Sequence, residues 1–475
     1  MIKKPTASII VYNWIYLAII SLIVVLTWSF GTNLIGISTI LLLASIIIAL
    51  QRDTLPVVPM LLMCICCTSD NTLLENQKAM PTFMILAGIL IISVIIHIIR
   101  FKPKFKNGSL SLPLLLVSIA LLLGGTTAQT KEQFQRGFIF AITLGFAMLA
   151  VYQVLYSTFS TQSREKIQKY MAQIMLAFSL VICTQILIYF LKHNIDLSEH
   201  IELLFNNNNN NSSIRDTLDL GWSNRAGAAY MITILLPGTF YLSQTVKKSA
   251  IIYYLLAFLQ FAFVIITLSR GGILFCAFEI LLMVLYVIFK GKNRTPLIIL
   301  TSILIIIAST LVWIYKADVA QFVDKFFKSL FSIDTSGRTE IHAYGLQQFL
   351  SYPIFGKGLG MDPHPKFYLP PHCIYWLHST PIQILASMGI VGVIAYSIFY
   401  YKRFKIMFKH QNPFNTIMSL GIVVFEIYSL IDSGTFIPFP MFITILIITI
   451  SMEVSNKNIE KENSLINKAL IPEMA

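Results

Sequence analysis

Three arginines and a histidine carry most of the chemistry that this sequence offers. Arg225 stands in Gly221-Trp222-Ser223-Asn224-Arg225 and Arg270 in Leu268-Ser269-Arg270-Gly271-Gly272. Arg338 stands in Ser336-Gly337-Arg338-Thr339-Glu340 and His378 in Trp376-Leu377-His378-Ser379. Arg225, Arg270 and His378 adjoin long apolar runs, and Arg338 stands at the start of an expected helix within a loop. A guanidinium presents a planar fork of donors that matches phosphate oxygens. An imidazole can take up a proton near neutral pH. No acidic pair and no His/Cys set at metal-ligand spacing accompanies them, so neither a metal nor another cofactor is expected. Fixed cations would then hold the charge that develops on a leaving group. Together these residues suit displacement of a pyrophosphate from a lipid-linked substrate, by a hydroxyl that the histidine deprotonates.

Each residue also has an ordinary explanation. An arginine at a helix end usually reaches toward headgroups, and that is the reading of Arg225 taken alone. Arg270 differs, because it is the only charge between Lys248 and Glu279 and glycines follow it; glycines let other groups approach the backbone closely. Arg338 follows a glycine, as a solvated first-turn residue would. A single boundary histidine more often makes a structural hydrogen bond. The combination on one side of a membrane is what points to chemistry. Glu279 and Glu426 also lie in apolar runs, where they would pair inside a bundle or line a polar cavity.

The elements that must position these groups follow from composition. Of 475 residues, 56% are hydrophobic and 12% charged, and the mean hydropathy is +0.74. Soluble domains carry about a quarter charged residues. A soluble enzyme, a nucleic-acid-binding protein and a disordered chain are therefore excluded. The net charge of +13 comes from short basic clusters between apolar runs, the pattern of a multi-span membrane protein. Cys64, Cys66, Cys67, Cys183 and Cys276 lie inside apolar runs and only Cys373 in a polar loop, so no disulfide framework is expected. The first run follows Lys3 and Lys4 without a small-residue cleavage site and reads as a retained span.

At about 20 apolar residues per span, runs fall near 12–30, 33–50, 55–68, 82–100, 109–125, 137–157, 171–191, 226–243, 249–268, 271–289, 296–315, 379–400, 415–431 and 436–452. The run 55–68 is short, holds Pro56 and Pro59, and would span or re-enter. The expected fold is an all-α polytopic membrane protein of about 12–14 transmembrane helices. With the N-terminus inside, every short loop rich in Lys and Arg falls on the inner side. The layout is then N-terminal helices over 1–191, an extracytoplasmic loop with an Asn tract over 192–225, helices with the Ser-Arg-Gly turn over 226–315, a large extracytoplasmic loop over 316–378, C-terminal helices over 379–452 and a cytoplasmic tail over 453–475. Asn206 to Asn211 form a polar tract without core-forming residues. Within 318–331, apolar residues recur with helical spacing and predict a helix that lies on the membrane or caps the bundle.

Three features then resemble a known family. One is the Ser269-Arg270-Gly271 turn between two apolar segments. The next is Gly337-Arg338 in a large outer loop, followed by Tyr352-Pro353-Ile354-Phe355-Gly356-Lys357-Gly358-Leu359-Gly360. The last is His378 before a helix with Met388-Gly389-Ile390-Val391-Gly392. Over roughly 222–400 the chain resembles the O-antigen ligase and O-antigen polymerase superfamily. The resemblance implies a GT-C-like membrane glycosyltransferase that moves a glycan from undecaprenyl pyrophosphate to a glycan or lipid-glycan acceptor without metal and with inversion. Arg270 and Arg338 would hold the pyrophosphate, with Arg225 matching a first outer arginine, and His378 would activate the acceptor. Ser379 replaces a frequent Asn, and Glu340-Ile341-His342-Ala343-Tyr344 lacks a frequent Trp. His342, His364 and His372 leave the identity of the base open. The motifs do not separate polymerase from ligase. Richness in Ile, Lys and Asn suggests a low-GC genome, which favours capsule, exopolysaccharide or cell-wall glycan over lipopolysaccharide. The expected location is the bacterial cytoplasmic (inner) membrane with both termini cytoplasmic; the bilayer is a partner and nucleic acid is not. The alternative is a transporter or flippase of lipid-linked glycans, but no internal repeat is visible and the cations gather at one interface rather than at mid-depth.

Overall fold

The computed structural model describes residues 14–69, 80–103, 105–196, 218–317, 319–321, 323–324, 337–366, 374–432 and 439–470. In chain order the helices are α1 (Trp14–Ser29), α2 (Asn33–Leu50), α3 (Val57–Met63), α4 (Met80–Phe101), α5 (Ser111–Gly125), α6 (Lys131–Phe159), α7 (Arg164–Lys192), α8 (Arg225–Thr245), α9 (Ala250–Ile266), α10 (Arg270–Lys290), α11 (Arg294–Ile314), α12 (Arg338–Ser351), α13 (Thr380–Lys409), α14 (Pro413–Ser429) and α15 (Phe439–Leu470). No strand occurs among the described residues, only one isolated bridge between Asp219 and Asn224. Among the described residues ten helices are long and apolar enough to cross a membrane, and α1, α3, α5 and α14 are apolar but shorter. Every apolar run named above falls on a helix. Backbone polar groups have no water to pair with in hydrocarbon, and the helix satisfies them within one segment.

The chain divides into two units. The first comprises residues 1–103 and 168–331, the second residues 104–167 and 332–475. In the first, α8 is buried continuously from Ala228 to Gln244, whereas α11 buries only Leu297 and Thr301. Residues such as Ile306 and Trp313 on α11 stay exposed, as lipid-facing side chains do. Polar residues in the interior find partners: Thr239 and Gln260 bond each other at 3.2 and 2.9 Å, and the hydroxyls of Tyr254 and Thr301 lie 2.8 Å apart. Such pairing avoids the cost of an unmet polar group in an apolar interior. Some do not: Ser45 and Ser179 are buried with unbonded hydroxyls, and Glu279 is fully buried with neither carboxyl oxygen hydrogen-bonded.

In the second unit α5, α6, α13, α14 and α15 form the helical body, with α12 beside the start of α13. Arg403 and Glu426 pair at 2.5 Å, and the guanidinium lies 4.8 Å from the Tyr400 ring. A lone charge at this depth would be expensive; the pair and the ring together accommodate it. Glu453 accepts from the Tyr152 hydroxyl and the Ser109 amide, each at 2.6 Å.

Three local features lie beyond the span pattern. The helix 131–159 contains a π-helical segment, Ala141–Phe146. α13 is broken at Gly389, with φ 59° and ψ −153°. α15 continues well past the apolar run to Leu470, held there by pairs such as Arg164–Glu462 at 3.2 Å. The Asn206–Asn211 tract, Cys373, His372 and most of the stripe 318–331 lie outside the described residues.

Candidate active site

His378 stands one residue before the N-cap of α13, in a segment fixed from several directions. Gln383, fully buried, accepts the Leu377 amide through Oε1 at 2.9 Å, and its backbone N–H donates to the Ser379 carbonyl at 2.8 Å. Ile341, Met361, Tyr375, Leu377 and Ala386 form an apolar cluster, with Tyr344 and Ile382 packed against it. Gly345 allows this packing, since a Cβ there would sit 2.7 Å from Ile382 and 2.8 Å from Leu377. Under these constraints His378 adopts a left-handed backbone, φ 49°. That conformation costs a non-glycine residue about 1–2 kcal/mol and turns the imidazole out of the run of the chain.

The imidazole meets a carboxylate. His378 Nδ1 lies 3.0 Å from Asp432 Oδ1. Asp432 is buried just beyond α14, and its amide donates to the Tyr428 carbonyl at 3.2 Å. A carboxylate on Nδ1 selects the tautomer with its proton there and leaves Nε2 free to accept one. Arg338 approaches the other carboxylate oxygen at 3.9 Å and donates to the Ile431 carbonyl at 3.0 Å. Its side chain remains 41% exposed, and a guanidinium has more donors than these contacts use. The structure thus gathers His378, Arg338 and Asp432 at one end of the second unit.

His342, one turn after Arg338, places Nε2 3.4 Å from the His378 carbonyl. Burial, with the nearby charges of Arg338 and His378, holds its imidazole below the usual range, against the hydrogen bonds it makes to backbone carbonyls, which work the other way. His364 stacks edge-on against Tyr344 with centroids 5.4 Å apart. Lys366 binds Glu340 at 2.8 Å and holds that carboxyl below its ordinary range, tying the loop back to α12.

The Tyr352–Gly360 motif and the Met388–Gly392 motif turn out to be two halves of one joint. The break at Gly389 frees backbone groups of α13. Lys357 and Gly358 donate their amides to the Ala386 and Ser387 carbonyls at 2.7 and 3.0 Å, and Ile390 and Val391 donate to Pro353 and Ile354 at 2.9 and 3.2 Å. A Cβ on Gly356 would sit 2.4 Å from the Met388 nitrogen, and one on Gly360 2.0 Å from the Gln133 carbonyl. The loop replaces the helix's missing backbone bonds, which a buried break requires.

Arg225 and Arg270 belong to the first unit. Each opens a helix: Asn224 caps α8 by accepting the Gly227 amide at 3.0 Å, and Ser269 caps α10 by accepting the Gly272 amide at 3.3 Å. The two first turns touch, since a Cβ on Gly272 would lie 2.5 Å from the Cβ of Ala229. Two helix N-termini and two arginines therefore share one end of this unit, a setting that favours anions. Among the described residues no group of three or more His, Cys, Asp or Glu side chains could hold a metal ion.

Asp432 was not among the residues singled out by sequence. Its signal was present: it is the only acidic residue between Glu426 and Glu453 and sits where an apolar run ends.

An all-α polytopic membrane protein with a His–Asp–Arg constellation defines the class. Residues 255–397 match the family model described as O-antigen ligase. That match, over less than a third of the chain, supports placing it in the O-antigen ligase and polymerase superfamily. The family points to ligase- or polymerase-type enzymatic processing of lipid-linked glycans at a membrane. No curated protein and no solved structure matches the chain.

Proposed function

We propose that the protein transfers or polymerises undecaprenyl-pyrophosphate-linked glycan units at the outer face of the bacterial cytoplasmic membrane, with both termini cytoplasmic. The carrying observation is the 3.0 Å contact of His378 Nδ1 with Asp432, beside Arg338. In this reading Nε2 of His378 takes the proton from an acceptor hydroxyl. The oxygen attacks the anomeric carbon, the bond to pyrophosphate breaks, and Arg338 holds the charge that develops. Asp432 stabilises the imidazolium that forms. Arg270 and Arg225 are assigned to pyrophosphate from their motifs and from the anion-favouring helix starts they occupy. The product is a capsule, exopolysaccharide, cell-wall glycan or O-antigen chain.

Purified protein supplied with a lipid-linked repeat unit should form longer glycan. His378→Ala should abolish this while leaving donor binding intact, and activity should persist in EDTA. Wild-type product from His378→Ala would remove His378 as the base and bring forward His342, His364 or His372.

A further inference from the structure

Lys357 has no part in the transfer chemistry described above. It is buried, 6% exposed, and no carboxylate lies within ion-pair distance of it among the described residues. Its Nζ donates to the Tyr352 hydroxyl oxygen at 3.1 Å and stands 4.3 Å from that ring's centroid. Gln129 Nε2 donates to the same oxygen at 2.8 Å. With two donors on the phenolic oxygen, its own O–H points away from both. Two N–H groups of the ammonium and one of the amide are also left over. The constellation therefore offers an excess of donors, with the Gln129 carbonyl oxygen as an acceptor beside them. The adjoining amides cannot alter this, since those of Lys357 and Gly358 are bonded to Ala386 and Ser387.

The flank is apolar. Leu350 and Ile354 are 75% and 59% exposed, and Phe355 beside them is also exposed. An ammonium, a hydroxyl and an amide converging next to exposed hydrocarbon match a phosphate carried on a hydrocarbon chain. We propose that Lys357, Tyr352 and Gln129 form a lipid-phosphate site at the far end of α12 from Arg338. At ~1.5 Å per residue the two ends of that helix are on the order of 20 Å apart. Two sources carry this chemistry. One is a second prenyl-pyrophosphate glycan serving as acceptor, which rests on the function proposed above. The other is a phospholipid headgroup.

The test is native mass spectrometry of the purified full chain with undecaprenyl pyrophosphate, phosphatidylglycerol or phosphate-free diacylglycerol. Relative to wild type, Lys357→Met should bind one fewer phosphate lipid, with affinity about tenfold or more weaker. Lys357→Arg should retain it, and diacylglycerol should not distinguish the variants. Loss confined to undecaprenyl pyrophosphate identifies the acceptor as the ligand; loss with phosphatidylglycerol identifies a headgroup. Unchanged binding of both phosphate lipids overturns the site. Tyr352→Phe, which removes only the hydroxyl, gives the same reading if the Met variant fails to fold. No transfer step enters the assay, so its failure is separate from failure of the proposed activity, which His378→Ala reports.

Discussion

Nδ1 of His378 lies 3.0 Å from Oδ1 of Asp432, while Arg338 faces Oδ2 of the same carboxylate at 3.9 Å. One buried acid thus orients the imidazole and neighbours the guanidinium. Asp432→Asn keeps the shape but can donate to Nδ1, which would move the imidazole proton to Nε2 and block proton uptake. The transfer rate should fall by about a hundredfold or more, with donor affinity little changed. A wild-type rate in single-turnover transfer would reduce the contact to packing.

Arg338→Ala should remove a charge-assisted contact worth ~1.5–3 kcal/mol and lower both donor affinity and rate. Arg338→Lys should recover only part of this, because Lys keeps the charge and loses the fork. The same ordering is expected for Arg270, and a smaller loss for Arg225. If Arg270→Ala binds and transfers the donor normally, that residue serves only to anchor a helix end.

Gly389→Ala should destabilise the second unit. Its φ/ψ region is disfavoured for residues with a Cβ by about 1–3 kcal/mol, and the added atom would lie 2.5 Å from the Pro353 and Ile354 carbonyls. Purified variant protein should melt earlier than wild type. An equal melting temperature would mean that the loop and the broken helix are not locked together.

The span pattern was legible because lipid imposes it. Each run of apolar residues long enough for the bilayer must be a helix, so α2 and α10 could be bounded within a residue or so. The interior geometry was not. Gly389 sits in an apolar run that reads as continuous helix, and its break becomes intelligible only once Pro353 and Ile354 supply the replacement bonds. Likewise, Arg338 drew notice through its type and the glycine before it, and His378 through its type and its place just before an apolar helix. Asp432 did not, because its partners are 94 and 54 residues distant in sequence and no local periodicity joins them. Gln383, which fixes the segment holding His378, looks in sequence like any polar residue on a helix.

Sidedness has its own test. In the second unit, contacts between distant segments join loops assigned to one face: Gln129 with Tyr352, Arg136 with Asp362, and His378 with Asp432 on the outer side; Arg164 with Glu462 and Lys409 with Glu460 on the inner side. In a cysteine-free variant, Lys366→Cys should react with an impermeant thiol reagent in intact cells, and Lys248→Cys only after lysis. The reverse pattern would invert the topology and remove the outer-face mechanism.

His342 should make the region around His378 acid-sensitive. Its folded-state affinity for protons is lowered, first by burial and then by Arg338 and His378, relative to the usual 6.5. The unfolded chain therefore binds the proton more readily. Stability is complete above about pH 6.5 and declines as pH falls from there toward the lower folded value. Protonation would also set a cation beside Arg338 and His378, a repulsion that works against the 3.4 Å contact to the His378 carbonyl, which favours the protonated ring. His342→Gln can still donate to that carbonyl but does not titrate. Melting curves from pH 8 to pH 5 should show wild type losing ground to His342→Gln below about pH 6.5. Parallel curves across that range would mean that His342 titrates alike in the folded and unfolded chain.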